Sequence, residues 1–184
     1  MPLPPAGSRP AKALVPQDVR LDDTDRAIVA VLVDDARVSN KDLADRVGVA
    51  QSTCLARVRA LRESGVIRGY HADIDPRALG HDLQAMIAIR LQPDARRAMA
   101  EFTASLTRRP EVLEVYFVAG ANDFLVHVAT ASTDELRRFV GEQLNRDPAV
   151  AGTETNLIFE HVPGRGLQQL LAQSTDKRPS STRR

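Results

Sequence analysis

The chain has 184 residues, of which 43% are hydrophobic and 27% charged, so it is long enough for one large or two small domains and composed like an ordinary folded protein. Its net charge of +1 excludes binding to polyanions through bulk charge, so any nucleic-acid surface must come from local sorting of basic residues. The single Cys54 excludes an intramolecular disulfide framework, and no apolar run approaches the roughly 18 residues that span a bilayer; the expectation is a cytoplasmic protein without membrane contact.

Residues 1–20 hold Pro2, Pro4, Pro5, Pro10 and Pro16 among small polar residues, a composition that cannot bury a core and reads as a flexible arm. The segment "LDDTDRAIVAVLVDD" reads as a helix capped by Asp22, with Asp25 in the capping-box position and Ile28, Val29, Leu32 and Val33 on its apolar side. Ser39 caps a second helix with Asp42 three residues on, and Leu43, Ala44 and Val47 form its inner face. Gly48 ends it. A third helix runs from about Gln51 to Ser64, and Gly65 stops it. The stretch "VIRGYHADID" reads as extended, and Pro76 and Gly80 mark a hinge.

Three short helices with a tight turn between the second and third form a helix-turn-helix, whose last helix enters the major groove of double-stranded DNA N-terminus first. At about 100° per residue, the third helix has a core side centred between Leu55 and Leu61. Thr53, Ala56 and Ala60 then lie opposite, with Gln51 and Ser52 in the first turn and Arg57 and Arg59 on the two flanks. Small and hydroxyl side chains suit base edges, and guanidiniums suit the phosphate rails. Lys41 and Arg68 add charge around the motif. A merely solvated helix face remains open on spacing alone, as does a structural ion pair for Arg57.

Beyond Gly80 the pattern changes. "LQAMIAIRL" alternates with Leu83, Ala85, Ile87, Ile89 and Leu91 on one side, as a half-buried strand does. A helix from about Asp94 to Thr107 follows, then "EVLEVYFVAG", a short loop and "DFLVHVAT". Ser132 with Glu135 opens another helix, and "TETNLIFEHV" is a last strand. The order βαββαβ is that of a ferredoxin-like domain. The predicted fold class is therefore α+β, with a winged helix-turn-helix over residues 21–74, a hinge strand at 75–82, the ferredoxin-like domain at 83–163 and a mostly disordered tail at 164–184. His71, His81, His127 and His161 are scattered, and no Cys or His pair stands at metal spacing, so no metal, cofactor or catalytic residue is expected.

The run from Leu21 to Gly80 resembles the N-terminal half of the Lrp/AsnC (feast/famine) transcriptional regulators. Leu21, Asp22 and Asp25 match the family's L-D-x-x-D, and Asp35 and Arg37 its D-x-R. Leu43, Ala44, Val47 and Gly48 match L-A-x-x-V-G, and Arg57, Val58 and Leu61 match R-V-x-x-L. Gly65, Val66, Ile67, Gly69 and Tyr70, with Asp75 and Pro76, complete the pattern. The C-terminal half is similar to the family's amino-acid-sensing domain, including "GANDF" (Gly120 to Phe124) where the family has G-x-x-D-aromatic. The long N-terminal arm departs from shorter members and is similar to that of some actinobacterial ones.

The resemblance implies a DNA-binding regulator of amino-acid metabolism with a small amino-acid effector held between subunits. Backbone amides at Gly120 and Ala121 suit the effector's carboxylate, and Asn122 or Asp123 its ammonium. Tyr116, Thr153 and Thr155 are further candidate liners. The same loop is also what a plain hairpin turn would use. The resemblance further implies homodimers that pair by open sheet faces, where Met86 and Ala88 alternate with Gln84 and Arg90, and a tetramer of dimers beyond that. Two other readings stand beside it. One is an enzyme like the haem-pathway decarboxylases that resemble this family, with His127 as the candidate histidine. The other is a small-molecule-binding module that no longer reads DNA.

Overall fold

Asp22 opens the first helix, α1 (Asp23–Asp34), by a reciprocal capping box: its carboxylate accepts from the Asp25 N–H at 2.8 Å, and the Asp25 carboxylate accepts from the Asp22 N–H at 3.2 Å. The computed structural model that shows this describes residues 19–164 and 166–173. Most of the predicted arm and the end of the predicted tail lie outside those residues. Ser39 caps α2 (Asn40–Val47), accepting from the Asp42 N–H at 3.1 Å and donating its hydroxyl proton to the Asp42 carboxylate at 2.7 Å. Gly48 follows with φ +72°, a conformation that strains any residue with a Cβ, and lets the chain turn directly into α3 (Gln51–Glu63). The Asn40 side chain fixes this turn by donating to the Gln51 carbonyl at 3.0 Å.

These three helices close on Ile28, Leu43, Ala44, Cys54 and Leu61, with Val29, Leu32, Val47 and Val58 packed around them. The core face of α3 is not centred as the sequence suggested. Cys54 is fully buried, and Leu55 is 41% exposed. Residues 54, 58 and 61 satisfy the helical repeat as well as 55, 58 and 61 do, and a free cysteine is as readily buried as a leucine. Burial also pushes the Cys54 thiol pKa up. The shift by one residue carries Arg57 toward the core edge.

Residues 68–75, expected to be extended, form no strand, and the hinge expected at 75–82 holds none either. An extended segment becomes a strand only when a neighbour pairs with its N–H and C=O groups, and no such neighbour is present. A single 3-10 turn (Pro76–Leu79), capped by Asp75 and closed by Gly80, leads into the second unit. There, β1 (Leu83–Leu91), α4 (Met99–Thr107, preceded by 3-10 turns at Pro93–Ala98), β2 (Val112–Phe117), β3 (Phe124–Thr130), α5 (Thr133–Arg138, continued by a π turn at Phe139–Leu144) and β4 (Val150–Ile158) follow in the βαββαβ order. The four antiparallel strands lie in the order β2-β3-β1-β4. Ala85, Ile87, Ile89 and Leu91 of β1, with Phe124, Val126 and Val128 of β3, bury one face against Phe102, Leu106, Leu136, Phe139 and Leu144. The registers put Gln84, Met86, Ala88 and Arg90 on the other face, beside Leu125, His127 and Ala129.

The tail holds one further element. Gly166–Gln173 is a helix, α6, whose Gln168 donates to the Asp34 carboxylate at the end of α1 at 3.0 Å. Leu167, Leu170 and Leu171 stand at helical spacing, a pattern concealed by the polar residues that follow. The described residues divide into two units: one takes those up to Ala72 together with Pro163, Gly164 and Gly166–Gln173, and the other takes Asp73–Val162.

The corrected face of α3 is testable by thermal or denaturant unfolding. Cys54→Ser places a hydroxyl in an apolar site and is expected to cost about 1–3 kcal/mol. Leu55→Ser is expected to cost less than about 1 kcal/mol.

Candidate nucleic-acid interface and ligand loop

The outward face of α3 gathers the predicted reading residues. Gln51, Ser52, Thr53, Ala56, Arg59 and Ala60 are all exposed. The N-cap is Ala50, which offers no side-chain hydrogen bond, and no acid stands in the first turn. Helices α1 and α2, by contrast, are capped by Asp22 and Ser39. The first N–H groups of α3 therefore have no side-chain cap at the positive end of the helix dipole. Lys41 and Arg68 are exposed as well, so the cationic groups can follow a backbone.

Arg57 is placed differently. Its Nη1 lies 2.6 Å from Asp22 Oδ2 and 2.9 Å from Asp25 Oδ1. Its side chain is 33% exposed, and that of Asp25 18%. The Asp22 carboxyl is held below its ordinary pKa of 3.8, first by the Asp25 N–H and then by the Arg57 guanidinium; hydrogen bonds to the Asp22 and Asp25 carboxylates raise the pKa of Arg57. The sequence showed Asp22 and Asp25 as a cap, and it gave no signal that an arginine more than thirty residues on would share them.

The predicted ligand residues fall into separate places. Gly120, Ala121, Asn122 and Asp123 form the β2–β3 connection. Gly120 has φ +143°, a backbone conformation that favours glycine, and it is exposed with Ala121. Asp123 is only 8% exposed. Its N–H donates to the Ile89 carbonyl at 2.9 Å, its carbonyl accepts from Val118 at 3.0 Å, and its Oδ2 accepts from the Leu91 N–H at 2.8 Å. The pairing of β1 with β3 ends at Ile89 and Phe124, so the Leu91 N–H lies beyond the last paired residue of β3. Asp123 answers that N–H, so its carboxylate fastens the loop to the sheet. Sequence reasoning offered it a ligand-binding role or a place in a plain hairpin turn, and neither includes this contact with another strand.

Thr153 and Thr155 pair with Ile89 and Ile87 on β4, and so share the face that carries the helices. Thr153 donates to Asn145 Oδ1 at 2.9 Å beside an open cavity of about 260 Å³ lined by Asn145, Val150, Ala151, Gly152 and Thr153. Tyr116 pairs with Leu125 on β2, at the other edge and on the opposite face. Its hydroxyl donates to Glu114, which raises the tyrosine pKa. The fold of one chain thus does not bring Tyr116 together with the threonines. His127, on the open face, sits 3.0 Å from Gln84 Oε1; burial lowers its pKa, against an opposing pull from Glu114. Among the described residues no three or more His, Cys, Asp or Glu side chains are placed to hold a metal, and no helix is long and apolar enough to cross a membrane.

A three-helix unit with an open recognition helix, followed by a separate βαββαβ unit, defines a ligand-binding helix-turn-helix transcriptional regulator. Residues 21–68 match a winged helix-turn-helix DNA-binding domain, and residues 84–166 match the Lrp/AsnC ligand binding domain. The chain belongs to the Lrp/AsnC family of transcriptional regulators. It is 55% identical over 152 residues to the HTH-type transcriptional regulator AldR of Mycolicibacterium smegmatis, covering 81% of this chain and 89% of the relative. With AldR of Mycobacterium tuberculosis it shares 52% identity over 156 residues, or 83% and 87% of the two chains. The crystal structure of MtbAldR superposes with a TM-score of 0.65 at 49% identity, covering 78% of this chain and 98% of that one. A Neisseria meningitidis transcriptional regulator solved in complex with L-Met superposes with a TM-score of 0.72 at 29% identity, covering 79% and 94%. The fold class and family expected from the sequence both hold, and the chain is a regulator rather than an enzyme: these relatives are named as regulators, which leaves the decarboxylase alternative unsupported.

Two measurements follow from this geometry. Asp123→Ala leaves the buried Leu91 N–H unanswered and is expected to cost about 1–3 kcal/mol in unfolding; Asp123→Asn keeps an acceptor and is expected to cost less. Because the folded-state pKa of Asp22 lies below its unfolded value, its stabilisation is complete above about pH 4 and is lost as the pH falls further. In thermal unfolding from pH 6 to pH 3, the difference between wild type and Asp22→Asn is expected to be constant above pH 4 and to shrink below it.

Proposed function

We propose that the protein is a cytoplasmic, nucleoid-associated regulator of amino-acid metabolism that reads double-stranded DNA as a homodimer and answers to a small amino acid bound between subunits. The observation that carries this is α3, with its uncapped N-terminus and its exposed Gln51, Ser52, Thr53, Ala56 and Arg59. The first four address base edges in the major groove; Arg59, Lys41 and Arg68 address phosphates. Two copies related by a two-fold axis set their α3 helices about one helical turn apart on a pseudo-palindromic site. The copies meet through open sheet faces bearing Met86 and Ala88, and dimers gather into a tetramer of dimers.

The effector sits at the Gly120–Asp123 loop. Exposed backbone at Gly120 and Ala121 takes its carboxylate, and Asn122 its ammonium, while Asp123 holds the loop in shape. Tyr116 lies at one sheet edge and Thr153 and Thr155 at the other, on opposite faces. They can serve one ligand only if different copies supply them, which favours a shared site. No cofactor enters this reading. The effector shifts assembly or DNA affinity only as far as its affinities for the states differ.

Random-site selection with the full chain, followed by binding to the selected site at several salt concentrations, tests the reading. Affinity is expected to fall steeply with salt, and Arg59→Ala is expected to reduce the log–log slope by about 0.9 for each phosphate contact it removes. A panel of amino acids, L-methionine among them, is expected to contain at least one that changes affinity or assembly size. A chain that selects no sequence is a binding module without DNA reading.

A further inference from the structure

The four carboxylate oxygens of Asp22 and Asp25 are divided without overlap. Asp22 Oδ1 accepts from the Asp25 N–H and Asp25 Oδ2 from the Asp22 N–H, closing the cap of α1. The other oxygen of each, Asp22 Oδ2 and Asp25 Oδ1, accepts from the same nitrogen of Arg57. The cap therefore presents a preformed two-pronged acceptor, and a guanidinium fills it. Arg57 follows the buried Cys54 by three residues and precedes Val58, so it stands at the core edge of α3. Fixing it fixes the rotation of α3 about its own axis. A rotation of about 20° moves side-chain tips, which stand about 5–6 Å from the helix axis, by about 2 Å, enough to break hydrogen bonds to base edges.

We infer that Arg57 is a positioning residue for DNA reading rather than a phosphate contact; the inference rests on the DNA-reading function proposed above. Charge supports it. Two carboxylates around one guanidinium leave this corner net negative, so a phosphate approaching Arg57 meets two acids and gains less from its charge. The direct contacts then fall to the exposed first turn and to Arg59. The inference also inverts an ordinary expectation. Neutralising an acid beside DNA normally tightens binding, because repulsion from the phosphates is removed. Here Asp22 and Asp25 support binding, because they hold Arg57.

The test uses the full chain and the site selected by the wild type, with Arg57→Ala, Asp22→Asn, Asp25→Asn and the double variant Arg57→Ala/Asp25→Asn, each confirmed folded at the assay temperature by thermal unfolding. Each single variant is expected to bind about tenfold more weakly, the scale of one misplaced base contact. The double variant is expected to bind no more weakly than Arg57→Ala alone. The salt slope is expected to stay at the wild-type value throughout, and Arg57→Lys, which keeps a cation for the two acids, is expected to recover part of the affinity. If Arg57→Ala does not fold, the two isosteric Asp→Asn variants decide. The inference is overturned if Arg57→Ala lowers the salt slope by about 0.9, or if either Asp→Asn variant binds more tightly than wild type. A wild type that selects no sequence removes the DNA reading itself, and the positioning role with it; Arg57–Asp25 coupling in unfolding then shows a purely structural clamp.

Discussion

Strand β1 has to bury one face completely while both of its edges are hydrogen-bonded, and the ligand-binding unit is arranged around that constraint. Ala85, Ile87 and Ile89 have no exposure. A slip of one residue would put Gln84, Met86 and Arg90 into the core, so the pairing with β3 and β4 has one acceptable register. The two helical segments then cover the apolar side and leave the other side open. The end of the same strand fixes the ligand loop. The β1–β3 pairing ends at Ile89, and the Leu91 N–H beyond it donates to the Asp123 carboxylate. The end of the β1–β3 ladder thus anchors the β2–β3 loop.

The three-helix unit solves a different problem. Its buried apolar core is small, five residues with partly buried valines and leucines packed around them. Polar contacts supply the rest. Asn40 ties the start of α2 to the start of α3, and Arg57 ties the flank of α3 to the cap of α1. Both contacts hold the recognition helix from its sides and leave its outward face without internal partners. That division, sides held and face free, is what a helix entering a groove requires. The N-terminus of α3 has no side-chain cap, the arrangement that suits an anion.

The local chemistry of the chain determined much of this by itself. Caps at Asp22, Ser39 and Ser132 act within three or four residues, so they can be read without a fold. So can the strand alternation of β1 and the turn at Gly48, because each is a property of neighbours along the chain. The order βαββαβ and the helix-turn-helix followed from those signals, and the L-D-x-x-D to D-P run gave the family.

Tertiary structure alone decided what depends on partners far apart in sequence. Cys54 rather than Leu55 faces the core, because two helical stripes fit the spacing and only packing chooses between them. Arg57 meets Asp22 and Asp25 across more than thirty residues, which no local pattern encodes. Asp123 turns inward to accept from the Leu91 N–H on another strand. Residues 68–75 are extended in composition but form no strand, since a strand is a relation to a neighbour rather than a property of a segment. Periodicity and capping are short-range and lie in the sequence; the choice between equally spaced faces, and the pairing of distant polar groups, exist only once the chain has folded.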